Sequence, residues 1–204
     1  MWRSGAIALA RTLPATATAT ATAATVAQVP SLGVPRDVFN SLTKRVLHVH
    51  RTVNMTRKGK IQSMYAMVVV GNGNGLAGYG EGKNTDLAKA VQKAVMAAVK
   101  NMVPIPRYDA RTIQHDIEHK FKATQLQMWA KRPGFGVRAN PHVHEICKCA
   151  GIHDVAAKVH RSRNPMNVVK ATFEALLAQR TPEEIARARG RKLTDVYKTY
   201  YGVI

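Results

Sequence analysis

Residues 68–83 read VVVGNGNGLAGYGEGK, and the helix-like run AVQKAV follows at 90–95. The three valines close an apolar run, IQSMYAMVVV (61–70), that reads as a strand buried at its far end. Gly71-Asn72-Gly73-Asn74-Gly75 interrupts it. Asn-Gly pairs tolerate the positive φ of tight turns, so the chain should reverse there. Glycines then alternate through Leu76–Gly82, which suggests a short third strand. Pro104 and Pro106 stop the next element, a helix from about Asp86 to Met102. Thr85 is its expected N-cap, and Asp86 suits the positive helix start. Leu87, Val91, Val95, Val99 and Met102, with Ala94 and Ala98, form one apolar stripe, and Lys89, Lys93 and Lys100 lie on another face.

Working outward, VLHVHRTVNMT (46–56) is a strand, and Arg57-Lys58-Gly59-Lys60 a charged turn into the strand at 61–70. The first unit therefore reads as three strands and a helix. A second unit opens near Thr112. It has strands at 112–119, 123–131 and 152–159, a turn at Pro133-Gly134-Phe135-Gly136, and a short helix between Asn140-Pro141 and Gly151. Asn164-Pro165 starts a further helix, with an apolar face of Val168, Val169, Phe173, Leu176 and Leu177. Thr181-Pro182-Glu183-Glu184 starts a short third helix that Gly190 ends. The fold class is α+β, divided as 1–36, 37–108, 109–180 and a basic tail at 181–204.

The charge balance is decisive for function. Thirty-one Lys and Arg stand against 12 Asp and Glu, giving +19 at pH 7. A compact chain at that charge repels itself unless a polyanion neutralises it, and nucleic acid is the usual one. No apolar run reaches the roughly 18 residues of a membrane helix, and the cations are not gathered on one amphipathic helix, so no membrane partner is expected. Two cysteines, Cys147 and Cys149, do not make a secreted disulfide scaffold and fit a reducing interior. Met1–Arg36 hold no acid, carry Arg3, Arg11 and Arg36, and include an Ala/Thr tract, the pattern of a mitochondrial or plastid transit peptide. A low-complexity tail is the alternative.

The run at 68–83 with AVQKAV resembles the fifth small-subunit ribosomal protein family. So do AGIHDVAAK (150–158) and SRNPMNVVKATFEAL (162–176), and the Arg57–Lys60 turn resembles the family's basic hairpin. The resemblance runs collinearly from about Leu42 to Glu184. With the transit-like start it implies the mitochondrial form. The implied fold is a double-stranded-RNA-binding-like unit followed by a left-handed β-α-β unit. The implied role is structural: binding small-subunit rRNA near the neck and the mRNA entry path, beside the fourth and eighth small-subunit proteins, and supporting accurate decoding. There are departures. Val137-Arg138-Ala139-Asn140-Pro141 stands where the family has Ile-Ile-Ala-Gly-Gly, so Arg138 is expected to replace a close backbone approach with a charge. Asn72 stands where the family has an acid, which removes a repulsion next to phosphate.

Phosphate contacts come from cationic side chains and from free N–H groups in glycine turns. The candidate RNA-binding residues are Arg51, Arg57, Lys58, Lys60, Lys83, Lys131, Arg132, Arg138, Arg161 and Arg163. Lys83 belongs with the hairpin surface, and Arg51 with the strand face beneath the tip. Arg161 and Arg163 flank Ser162 just before a helix start, where unpaired N–H groups add to the charge. A solvated loop is the competing reading at each of these positions. The 187–192 cluster suggests an electrostatic arm, and Tyr197, Tyr200 and Tyr201 could stack on bases or pack on a neighbour.

An RNA-processing or nucleotide-using enzyme is the rival. Gly73-x-Gly75-x-x-Gly78 formally fits a dinucleotide fingerprint, but no helix should open at Gly78 and no acid falls within 87–108. His142, His144, Cys147, Cys149 and His153 are the only metal-like cluster. Its C-x-C spacing would point the two thiols about 200° apart on a helix. No cofactor, metal or small-molecule substrate is expected.

Overall fold

The computed structural model describes residues 35–200. The transit-like segment to residue 34, and Tyr201 of the tyrosine group, lie outside the described residues. After a short helix α1 (Arg36–Ser41), strands β1 (Thr43–Thr56), β2 (Gly59–Gly71) and β3 (Leu76–Asn84) form an antiparallel meander that carries helix α2 (Leu87–Lys100). A two-residue strand β4 (Val103–Pro104) pairs with Leu76 and Ala77, so the expected three-stranded sheet has a fourth strand. A register shift between Val46 and His48 bends β1.

The helix begins one residue later than its composition suggests. Asp86, not Thr85, is the N-cap. It makes no side-chain cap hydrogen bond and pairs with Lys89 at 3.0 Å instead. The helix face against the sheet is alanine: Ala90, Ala94 and Ala98 are fully buried, Val91, Val95 and Val99 flank them, and Leu87 is 44% exposed. The cause lies in β3. A Cβ at Gly78, Gly80 or Gly82 would collide with the backbone of α2 at Ala98, Ala94 and Ala90 respectively. Glycine at three successive α2-facing positions of β3 lets the helix axis drop onto the strand, and only alanine fits on the helix side at that distance.

From Tyr65 onward strand β2 is buried on both faces. Ala66, Val68 and Val70 face α2, while Tyr65, Met67 and Val69 belong to the core of the second unit. That unit has a sheet ordered β5 (Ile117–Phe121), β6 (Thr124–Ala130), β8 (Val155–Arg161), β7 (Val137–Arg138). β7 runs parallel to β8, with helix α3 (Pro141–Ala150) between them as the β-α-β crossover. α4 (Pro165–Leu177), α5 (Pro182–Arg189) and α6 (Leu193–Tyr200) follow. Asn140 caps α3 and Gly151 ends it at φ 75°, and Asn164 caps α4. A complete capping box opens α5. All of these match the expected signals.

Three differences from the sequence-based expectation concern the second unit. Residues 112–116 are not strand, because their backbone and side chains are spent elsewhere: Thr112 bridges back to Tyr108, and its hydroxyl donates to the Asp154 carbonyl at 2.6 Å. Residues 152–154 are not strand either. Ile152 N–H closes α3 on the Cys147 carbonyl, and the N–H groups of His153 and Asp154 reach the Arg111 carbonyl, so β8 starts at Val155. β7 is too short for any periodicity to announce it.

The units lock together through the glycine loop. Gly73 N–H donates to the Cys149 carbonyl at 3.0 Å and Gly75 N–H to the Ala150 carbonyl at 2.9 Å, satisfying the end of α3. Arg107 donates to the Gly151 carbonyl at 2.8 Å, and Lys170 meets Glu81 at 2.8 Å.

The glycine-alanine contact sets an expected outcome. Gly80→Ala should lower unfolding free energy by about 2 kcal/mol or more through overpacking against backbone. Gly134→Ala, at φ 81° with open space around it, should cost only about 1 kcal/mol of backbone strain. Urea unfolding of the two variants checks the order, and equal losses would refute the packing argument.

Candidate RNA interface

β3 accompanies β2 only from Met64 onward, where Met64 faces Asn84. Beyond that point β1 and β2 continue alone as a ribbon from Thr52 to Ser63, roughly 20 Å long at a strand rise of about 3.4 Å per residue. Its tip carries Arg57, Lys58 and Lys60, all exposed. Val53 (42%), Met55 (71%) and Ile61 (56%) are also exposed on it. The Thr56 hydroxyl braces the turn on the Gly59 carbonyl at 2.9 Å.

Arg51 and Lys83 flank the base of this ribbon on opposite faces. Arg51 stands across from Met64, on the α2 side, and reaches Gln62 Oε1 at 3.4 Å. Lys83 stands across from Tyr65, on the other side. The two do not form one patch.

A second group sits in the 131–138 loop. The Arg138 guanidinium lies 4.5 Å from the centroid of the Phe135 ring, and the Lys131 ammonium 5.7 Å from it. Arg132 is exposed beside them. The loop is anchored from below by Asp154, 4% exposed. Its carboxylate accepts from Gly136 N–H at 2.8 Å and from Arg111 Nη1 at 3.0 Å, and Arg111 also donates to the Lys131 carbonyl at 2.9 Å. The Gly136 N–H, and then Arg111, hold the Asp154 carboxyl below the usual carboxylate range against the opposing effect of burial.

Arg161 and Arg163 form a third group with Lys122, which the sequence reading missed. Arg161, at φ 61°, ends β8 opposite Thr124, beside the β5–β6 turn that holds Lys122. All three side chains are exposed. The start of α4 is partly self-satisfied, since the Asn164 side chain accepts from Met166 N–H. The cationic side chains, rather than the helix end, are the features presented there.

The glycine loop is structural. Its Gly73 and Gly75 N–H groups are used on α3, and Asn72 Oδ1 accepts from Asn74 N–H (2.7 Å) and Leu76 N–H (3.0 Å). Gly78 lies in a strand, so the dinucleotide fingerprint has no helix to open. Cys147 and Cys149 are buried free thiols. Burial, and then the neighbouring Cys149, pushes Cys147 up to about 12, while burial, and then the Glu145 carboxylate, pushes Cys149 up to about 11. Among the described residues no three His, Cys, Asp or Glu side chains gather as a metal site. Sequence reasoning also missed Arg107 and Arg111 as internal struts and Phe135 as a platform. Only the ring's place between two cationic positions hinted at the last.

Two tandem α+β units with cations on their exposed ribbon, loop and sheet end have the build of a ribosomal protein. The sequence matches the family model for ribosomal protein S5, N-terminal domain, over residues 42–106, and that for ribosomal protein S5, C-terminal domain, over residues 119–189. It is 51% identical to small ribosomal subunit protein uS5m of Schizosaccharomyces pombe, over 83% of this chain and 44% of that one. It is 48% identical to uS5m of Neurospora crassa, over 82% and 35%. It is 40% identical to uS5 of Flavobacterium psychrophilum, over 77% and 90%. The chain belongs to the ribosomal protein S5 family. It spans less than half the length of the two fungal relatives.

The Asp154 anchor has a pH signature. A lowered folded-state pKa gives stability that is present above the unfolded carboxylate value of about 3.9 and is lost as pH falls through the folded value. Asp154→Asn should therefore cost about 2 kcal/mol at pH 7, and the gap to the parent should close below about pH 4. Denaturant titrations across pH check this, and a pH-independent gap would contradict it.

Proposed function

We propose that the chain is a structural constituent of the mitochondrial small ribosomal subunit and works by binding rRNA rather than by catalysis. The observation that carries this is the two-stranded ribbon, which projects Arg57, Lys58 and Lys60 clear of the folded body. A protruding cationic tip without a third strand suits entry between RNA segments and neutralisation of several phosphates at once. The net charge of +19 calls for such a polyanion. Lys131, Arg132 and Arg138 on one loop, Arg161 and Arg163 at the far sheet end, and Arg51 and Lys83 at the ribbon base supply further phosphate contacts.

The acid-free start and the fungal relatives' uS5m designation support the matrix as the location. The chain divides into a transit segment at 1–36, an RNA-binding unit at 37–108, a β-α-β unit at 109–180 and a basic tail at 181–204. Family membership supports a seat near the neck of the subunit and the mRNA entry path, against the fourth and eighth small-subunit proteins, with an effect on decoding accuracy. The enzyme reading loses its main support because the glycine motif is consumed by packing.

Gradient fractionation of mitochondria should find the chain with the small subunit, and a persistent free pool alone would refute the proposal. Replacing Arg57, Lys58 and Lys60 with Ala should make the slope of log affinity for small-subunit rRNA against log salt shallower by about 2 to 3. Filter binding over a salt series reads this out. An unchanged slope would remove the ribbon from the interface.

A further inference from the structure

A groove of about 1330 Å³ runs between the linker at 108–116, the end of β6 and helix α5. It exceeds the roughly 300–1,000 Å³ of a small-molecule pocket. Its apolar lining comes from Ile113, Ala130, Pro133, Ile185 and Ala188. Its charge is one-sided. Lys131, Arg132, Arg180 and Arg189 line it, with Arg111 held by Asp154, against only Asp116 and Glu184. Both acids are engaged within the fold. Asp116 Oδ1 accepts from Ala130 N–H at 2.9 Å, and Glu184 Oε2 accepts from Thr181 N–H at 3.2 Å in the capping box of α5. The walls are fixed to one another. Gln114 N–H donates to Gln179 Oε1 at 2.8 Å, Arg180 N–H to His115 Nε2 at 3.3 Å, and Arg111 to the Lys131 carbonyl. The groove thus exists before any partner arrives, which lowers the cost of binding. The linker wall at 108–116 lies between the two stretches matched by the family models.

We propose that this groove docks an acidic, apolar-anchored segment of a neighbouring protein. Phosphate backbone gains nothing from a lining of isoleucine, alanine and proline, whereas a polypeptide strand with Asp or Glu beside Leu, Ile or Phe satisfies both lining and rim. Arg180, exposed at the rim, provides the complementary charge, and a guanidinium group takes a carboxylate in bidentate fashion. The apolar lining provides the anchor pockets.

The test places the photo-crosslinker benzoyl-phenylalanine at Ala188, an exposed groove residue, in the full chain, and irradiates intact cells. Reading the crosslink from whole cells keeps the outcome independent of ribosome entry, which the gradient experiment decides separately. The expected product is a protein adduct whose crosslinked peptide is net acidic and carries aliphatic or aromatic residues. Adding Arg180→Glu should cut its yield at least tenfold. Arg180 is exposed, so the fold should survive, and an unchanged circular dichroism melt of the purified variant checks that. An adduct to RNA, an adduct to a basic or neutral segment, a yield indifferent to Arg180→Glu, or no adduct at all would overturn the proposal.

Discussion

Everything in this molecule depends on how closely a glycine strand lets its neighbours approach. β3 presents Gly78, Gly80 and Gly82 to a helix that answers with Ala90, Ala94 and Ala98. Side chains that small leave little apolar area to bury, so the contact gains its stability from close-packed backbone rather than from bulk. The nearness of α2 then fixes β2 beneath it. β2's valines bury one face on α2 and one on the second unit, and full burial of each such side chain contributes roughly 2 kcal/mol. The same economy of side chain recurs at the inter-unit seam. Gly71 and Gly151 leave no room for a Cβ against Cys149 and Gly73, so the loop at 71–75 can serve as the C-terminal cap of α3.

That rigidity gives the surface charges their meaning. A chain with this excess of cations has two uses for them, and the structure separates the two. Arg107 and Arg111 point inward and hold carbonyls and Asp154, tying linker, loop and β8 together. Arg57, Lys58, Lys60, Arg132, Arg138, Arg161 and Arg163 point outward from turns and strand ends. The inward set positions the outward set. Without the Arg111–Asp154 pair, the 131–138 loop that carries Lys131, Arg132 and Arg138 would lose its floor. An electrostatic interface to a folded polyanion needs charges at fixed separations, and short-range hydrogen bonds to backbone provide that fixity better than long side chains alone.

Most of the fold was legible because its signals are local. The Asn-Pro and Thr-Pro helix starts, the Gly151 and Gly190 stops and the glycine turn each act within a few residues, and each stands where the sequence put it. The misses share a cause. β4, β7, the unstranded 112–116 segment and the late start of β8 depend on partners far away in the chain: Leu76 and Ala77, Val155 and Ala156, and Arg111 and Asp154. Amphipathic periodicity ranks residues by size, so from sequence the stripe of α2 looks valine-centred. The buried line is alanine-centred because β3 sets the distance.

The candidate site was legible in composition but not in geometry. Counting cations found the ribbon tip, the loop and the sheet end, yet Arg51 and Lys83, close in the fold, face opposite ways once register is known. Arg138 shows the limit most clearly. Its position looked like a charge replacing a glycine approach, and its guanidinium lies over Phe135 while Lys131 approaches the same ring. An aromatic ring between two cations draws both by its quadrupole and narrows where their N–H groups can point. A loop of scattered charges thereby becomes a directed one. The residue responsible is uncharged and half-buried, so a search for basic residues alone passes over it.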